Sequence, residues 1–145
     1  MAKIFLAQTD TTVGFLSKDK GALNKIKNRP LNTPCIKAIA SLNELKNHAR
    51  VPNKHKNKIR KAKKTTFIYP NKQSLRVIKT SPHKEFILDH KWLYTTSANL
   101  TGKDFDENYA RNIADEVIEN EGGFLQAKAS DIFLLSREKM GKIRV

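Results

Sequence analysis

The chain predicts an α/β fold built on a mixed, open sheet with flanking helices. Three observations carry this. Short apolar runs alternate with segments that hold helix-start signals, such as Ser41-Leu42-Asn43-Glu44 and Ser81-Pro82. The predicted helices are short. Several strand-like runs also follow one another without an intervening helix, which a regular parallel sheet does not allow.

Taken in order, Lys3 to Ala7 is a short strand leading into Thr9-Asp10-Thr11-Thr12-Val13-Gly14, a hydroxyl-rich turn. Residues 19 to 28 form a helix with Ala22, Leu23 and Ile26 on one face, ended by Pro30, which disfavours helical geometry at the residue before it. Pro34 to Ala40 is a strand. The capping box Ser41-Leu42-Asn43-Glu44 opens a helix to about Ala49. The tract from Arg50 to Lys64 reads as a loop, and strands follow at Thr65 to Tyr69 and Leu75 to Thr80. Ser81-Pro82, an N-cap with proline at the first helical position, opens a helix to about His90. Trp92 to Thr96 is a strand. Asp106 to Asn120 is the clearest helix, with Tyr109, Ile113 and Val117 at i, i+4 spacing beside Ala110, Ala114 and Ile118, stopped at Gly122-Gly123. Strands at Asp131 to Leu135 and Lys142 to Val145 close the chain around a turn. Trp92 and Phe133 are expected in the core.

A length of 145 residues suits one domain spanning 1–145. No apolar run approaches the roughly 20 residues that cross a bilayer, and the N-terminus lacks the pattern of a signal peptide. The single cysteine, Cys35, suits a reducing compartment. A cytoplasmic protein with no membrane partner is expected. The four histidines have neither a cysteine nor a carboxylate cluster beside them, so no protein metal site is expected. No Walker-type loop is present.

The charge is uneven. Residues 1–84 hold 20 Lys/Arg against 3 acids, whereas residues 85–145 hold 8 against 11. No acid lies between Glu44 and Glu85. Such a field favours polyanions, namely nucleotide phosphates, RNA or anionic headgroups. A lysine-rich solvated surface is the plain alternative.

Two short motifs could carry chemistry. Lys27 and Arg29 leave the end of a helix two residues apart and can converge on one anion, Arg29 as a bidentate fork and Lys27 as a point charge. The alternative is a solvated helix end favoured by the macrodipole. Ser97 and Asn99, two apart after a strand, place a hydroxyl and an amide where α/β sheets hold ligands. The alternative is a turn that caps a helix, but the next predicted helix starts near Asp106.

Together and in this order, Thr9-Asp10-Thr11, Lys27-x-Arg29-Pro30 and Ser97-Ala98-Asn99-Leu100-Thr101-Gly102 resemble the signature of the YrdC-like family, the threonylcarbamoyl-AMP synthases and their YciO-type relatives. Val77 to His83 is similar to the family's V-R-x-x-x-H segment, with Lys79 in place of arginine. Arg60 to Pro70 is similar to its R-W-P-G-P-x-T stretch, keeping Arg60, Thr66 and Pro70, and Ser130-Asp131-Ile132 resembles its serine-led strand. Against the family's pattern, the expected departures are a missing N-terminal helix, several fewer residues between the first turn and Lys27, and Lys61-Ala62-Lys63-Lys64 for Trp-Pro-Gly-Pro. Val13 and Thr33 replace a tyrosine and a polar residue, commonly lysine.

The resemblance implies a twisted fold around a basic cavity. There L-threonine, bicarbonate and ATP, the last with Mg2+, give threonylcarbamoyl-AMP and pyrophosphate. A tRNA-modifying threonylcarbamoyl transferase complex receives the intermediate. By the same resemblance, Lys27, Arg29, Ser97 and Asn99 are catalytic. Lys27, Arg29 and Asn99 address ATP, while Thr11, Lys79, Ser97 and Ser130 hold threonine and its carbamate. Convergent cations suit this chemistry, because two like charges about 4 Å apart repel by roughly 4 kcal/mol at an effective dielectric of 20. The competing expectation is a non-catalytic YciO-like protein that binds tRNA or double-stranded RNA through Lys54, Lys56, Lys58, Arg60, Lys61, Lys63 and Lys64.

Overall fold

Nine strands form one sheet in the computed structural model, which describes residues 2–79, 84–100, 102–119, 121–125 and 127–144. In chain order the elements are β1 (Phe5–Gln8), β2 (Val13–Ser17), α1 (Lys20–Ile26), β3 (Ile36–Ile39), α2 (Leu42–Leu45), α3 (Lys56–Lys61) and β4 (Thr65–Ile68). Next come β5 (Ser74–Val77), α4 (Lys84–His90), β6 (Trp92–Ser97), α5 (Glu107–Ile113), β7 (Glu116–Val117), β8 (Asp131–Leu135) and β9 (Met140–Arg144). The strand order is β7-β1-β2-β6-β3-β5-β4-β8-β9. Pairs β1/β7, β3/β5 and β4/β8 are parallel and the other five are antiparallel, so the sheet is mixed as the adjacent strands predict.

Local chemistry sets the element ends. Asp19 caps α1 by accepting from the Gly21 amide at 2.9 Å, and the Ser41 hydroxyl accepts from the Glu44 amide at 3.0 Å, the N-cap half of the expected box, while the Glu44 carboxylate turns to His48 and Asn47. That second helix is a single turn. β2 is absent from the predicted strands because its five residues are all buried, and burial on both faces removes the alternation that marks a strand. The Ser81-Pro82 cap, His83 and Thr101 lie outside the described residues.

Two expectations are corrected. Arg50 to Lys64 is not a loop: a 3-10 turn (Asn53–His55) runs into α3. Val51, His55, Ile59 and Ala62 recur at helical spacing, but the histidine and the surrounding lysines mask the apolar face. His55 and Ile59 are buried, and His55 Nε2 meets the Ser136 carbonyl at 3.0 Å. The helix expected from Asp106 to Asn120 stops at Ile113. Glu116 and Val117 instead pair with Phe5 and Leu6, and Asp115 accepts from the Ile4 amide at 2.8 Å. Covering the open edge of β1 outweighs helical periodicity there.

Three buried clusters flank the sheet. One gathers Ile39, Leu45, Ile59, Phe67 and Leu75, and another Leu6, Phe15, Leu23, Ala98 and Ala110. The third gathers Leu16, Ala38, Ile78, Ile87 and Leu93. Trp92 and Phe133 pack against the first cluster but are only partly buried. Gly14 lets β2 approach β6 closely: a Cβ there would lie 3.0 Å from Thr95 Oγ1 and 3.1 Å from the Thr96 carbonyl. This approach brings the Thr9–Thr12 turn beside the end of β6. Among the described residues no helix is long and apolar enough to cross a membrane.

Candidate functional site

Three turns and a C-terminal hairpin converge on one cavity. The Thr9 hydroxyl shapes the first turn, donating to the Thr12 carbonyl at 2.5 Å and accepting from the Thr11 amide at 3.1 Å. Thr11 and Thr12 are thereby held at the cavity wall. α1 supplies the second wall. After its end, Asn28 takes a left-handed conformation (φ 57°), turning Arg29 back so that its amide donates to the Asn24 carbonyl at 2.9 Å. The Arg29 guanidinium donates to Asn24 Oδ1 at 2.8 Å, while Asn24 Nδ2 donates to the Leu31 and Thr33 carbonyls at 3.0 and 2.9 Å. One fully buried amide thus aims the arginine and holds the chain that follows it.

The third turn continues from β6. Lys27 ties it down: its ammonium donates to the Ser97 carbonyl at 3.0 Å and to the Asn99 carbonyl, with Asn99 Oδ1 at 3.5 Å. Burial, with Arg29 nearby, lowers the Lys27 pKa to about 8. The Asn99 amide in turn donates to the Leu100 and Lys103 carbonyls at 3.1 and 2.7 Å. On the far side, β9 sends Arg144 back to β8, where it donates to Ser130 O at 2.8 Å and Ser130 Oγ at 3.2 Å. Ser130 also meets Thr66 Oγ1 at 2.8 Å.

The resulting cavity measures about 260 Å3 and is lined by Arg29, Arg76 and Arg144, by the hydroxyl residues Thr11, Thr12, Thr95, Thr96, Ser97 and Ser130, and by Cys35. No carboxylate side chain is among its described lining residues. Arg76 reaches it from inside the sheet, and its Nε donates to Asp10 Oδ1 at 3.1 Å with both side chains nearly inaccessible. Burial and Arg144 oppose the Arg76 charge, whereas Asp10 supports it. A second cavity of about 310 Å3 shares Thr12, Ser97 and Ala129 with the first and is lined also by Asn99 and Lys103.

Of the residues named from sequence, Thr11, Arg29, Ser97 and Ser130 line one cavity, and Asn99 lines its neighbour. Lys27 lines neither, because its ammonium is turned onto the β6 loop. Lys79 is also absent from both linings and donates to the Arg60 carbonyl. Asp10, from the same first turn, is the buried partner of Arg76. Lys54, Lys56, Lys58, Arg60, Lys61, Lys63 and Lys64 are all exposed on or beside α3, with Lys54 3.7 Å from Glu138. Asn24, Arg76 and Arg144 escaped the motif reading. An arginine inside the apolar run Leu75-Arg76-Val77-Ile78 was the available signal for the second.

No family sequence model and no curated protein sequence matches the chain. Solved structures do. E. coli YciO superposes with a TM-score of 0.77 at 17% identity, covering 99% of this chain and 82% of its own. The chain has the YrdC-like fold. P. abyssi Sua5 complexed with L-threonine superposes at 0.75 with 18% identity, covering 98% of this chain and 50% of its own. HypF in a phosphate- and nucleotide-bound form superposes at 0.71 with 14% identity, covering 98% and 26%. This YrdC-like chain therefore spans about half the length of Sua5.

Proposed function

We propose that the arginine cavity binds ATP, L-threonine and bicarbonate and forms threonylcarbamoyl-AMP, serving tRNA modification through a threonylcarbamoyl transferase complex. The observation that carries this reading is the convergence of Arg29, Arg76 and Arg144, from three separate parts of the chain, on a hydroxyl-lined cavity with no carboxylate side chain among its described lining residues. Such a site favours anions, with Arg29 and Arg144 supplying most of the field because Arg76 is already paired with Asp10. The fold is shared with P. abyssi Sua5 complexed with L-threonine and with HypF in a phosphate- and nucleotide-bound form, and this likeness supports the reading.

The threonine amine and bicarbonate give a carbamate and water. A carbamate oxygen then attacks the α-phosphorus, and pyrophosphate leaves. Arg29 stabilises charge on the phosphates with its guanidinium, whose buried Nε has no hydrogen-bond partner among the described residues. Ser97 and Asn99 hold the nucleotide across the junction of the two cavities. Thr11, Ser130 and Arg144 take the threonine carboxylate and carbamate. Lys27 acts as a positioning residue by fixing the carbonyls of the β6 loop, and Lys79 has no part in the cavity. Mg2+ would accompany ATP and offset charge on its phosphates. Positioning supplies most of the remaining rate, since no covalent enzyme intermediate is needed. The test is pyrophosphate release from ATP, which should require threonine and bicarbonate together; release that ignores either one contradicts the proposal.

A second reading is favoured by the seven exposed cations on and around α3. They form a surface for tRNA or double-stranded RNA phosphates, compatible with catalysis or independent of it.

A further inference from the structure

Beyond the arginine cavity, Pro34 and Cys35 form a lip shared with another cavity of about 290 Å3, lined also by Lys20, Lys37, Lys72, Gln73, Ser74 and Tyr94. Three lysines from three separate parts of the chain meet there with no carboxylate among the described lining residues. Lys20 opens α1, Lys37 lies within β3, and Lys72 sits at the β4–β5 turn. That turn is closed by the Lys72 amide donating to the Tyr69 carbonyl at 2.8 Å.

The central ammonium is fixed in place. Lys37 Nζ donates to Gln73 Oε1 at 3.0 Å and lies 4.7 Å from the Trp92 ring centroid and 5.5 Å from that of Tyr94. It also approaches His48 Nδ1 at 3.5 Å, while His48 Nε2 donates to Glu44 at 2.8 Å, so the carboxylate of this network lies on the far side of the imidazole. Burial and the charge of Lys20 both oppose protonation of Lys37. A bound anion relieves that repulsion, and the neutral Gln73, Ser74 and Tyr94 groups add hydrogen-bonding capacity without competing charge.

From this arrangement we infer that the Lys20–Lys37–Lys72 cavity is a second anion site, for an oligophosphate, separated from the arginine cavity by the Pro34–Cys35 lip. Its ligand is inorganic pyrophosphate or the phosphate tail of a nucleotide. The site does not depend on turnover in the arginine cavity.

The chain carries its own reporter, because Trp92 is its single tryptophan and Lys37 lies near the ring. Inorganic pyrophosphate and ATP are titrated separately, at constant ionic strength, against the full chain. Trp92 emission should change saturably with pyrophosphate, and persist in Arg29→Ala. In Lys20→Gln/Lys72→Asn the half-saturating concentration should rise at least tenfold; asparagine suits the positive φ of 69° at position 72. A response to ATP alone assigns the site to a nucleotide tail rather than to free pyrophosphate. Equilibrium dialysis with both ligands provides the count: the double substitution should remove one bound oligophosphate per chain. An unchanged count overturns the proposal, as does a Trp92 response abolished by Arg29→Ala.

Discussion

Arg76 and Asp10 face each other inside the sheet, Nε to Oδ1 at 3.1 Å, with side chains only 4% and 3% exposed. The pair joins the first turn to β5 and presents an arginine to the cavity while holding its charge in place. Breaking a buried pair from one side strands the other charge. Asp10→Asn should therefore destabilise the protein by about 3–5 kcal/mol in urea unfolding. Asp10→Leu combined with Arg76→Met should recover most of that stability while still losing ligand binding. If Asp10→Asn unfolds like the parent protein, the pair contributes neither stability nor order.

Arg29 and Asn24 make separable contributions. Arg29→Ala should abolish pyrophosphate release. Arg29→Lys keeps a charge but loses both the fork and the reach to Asn24, so kcat/KM should fall by on the order of 10–100-fold. Asn24→Ala leaves the guanidinium intact but unaimed. Its threonine-dependent activity should fall with it, and its urea midpoint should drop because the Leu31 and Thr33 carbonyls lose their donor. Near-normal turnover in Arg29→Ala would remove the arginine from the site.

Lys27 couples the site to pH in two opposite directions. Its folded value of about 8 lies below the ordinary lysine value of 10.5. As the pH rises from 8 the folded chain releases this proton first. The unfolded chain then binds more protons, so this group's contribution makes stability rise across the window up to the ordinary value. Activity should fall over the same range as the clamp on the Ser97 and Asn99 carbonyls loses its charge. Lys27→Arg, which stays protonated, should displace the alkaline limb upward in a pH–rate profile. An identical limb in that variant would assign the titration to another group.

RNA binding, if carried by α3, obeys a salt law. With about five phosphates contacted, log affinity should fall with log salt at a slope of roughly −4.5, taking the duplex rule as a guide. Replacing Lys56, Lys58 and Lys61 by glutamine should reduce the slope by about three phosphate contacts' worth without altering pyrophosphate release. A slope near zero would contradict an electrostatic interface there.

Much of this was legible in the chain and some was not, for physical reasons. The Thr9–Thr12, Lys27–Arg29 and Ser97–Asn99 turns stood out because hydroxyls and cations between apolar runs have no role in filling a core. That two of them meet follows from β2 pairing with β6, a contact that depends on Gly14 and leaves little local signature. Lys27 was read as a phosphate ligand because charge, rather than direction, is what sequence reveals. Its orientation is set by the Ser97 and Asn99 carbonyls, to which it donates. α3 and the end of α5 were misjudged where tertiary contacts decide: His55 serves as an apolar-face residue, and Val117 is taken by the edge of β1. Arg144 contributes through a register between β8 and β9 that residue spacing does not encode.

The most direct measurement uses radiolabelled bicarbonate with ATP and L-threonine, following label transferred to an acid-labile adenylate and pyrophosphate released alongside it. Equal amounts of both products are expected, dependent on threonine and lost in Arg29→Ala. Pyrophosphate without labelled adenylate, or no threonine dependence in a folded protein that binds ATP, would contradict it.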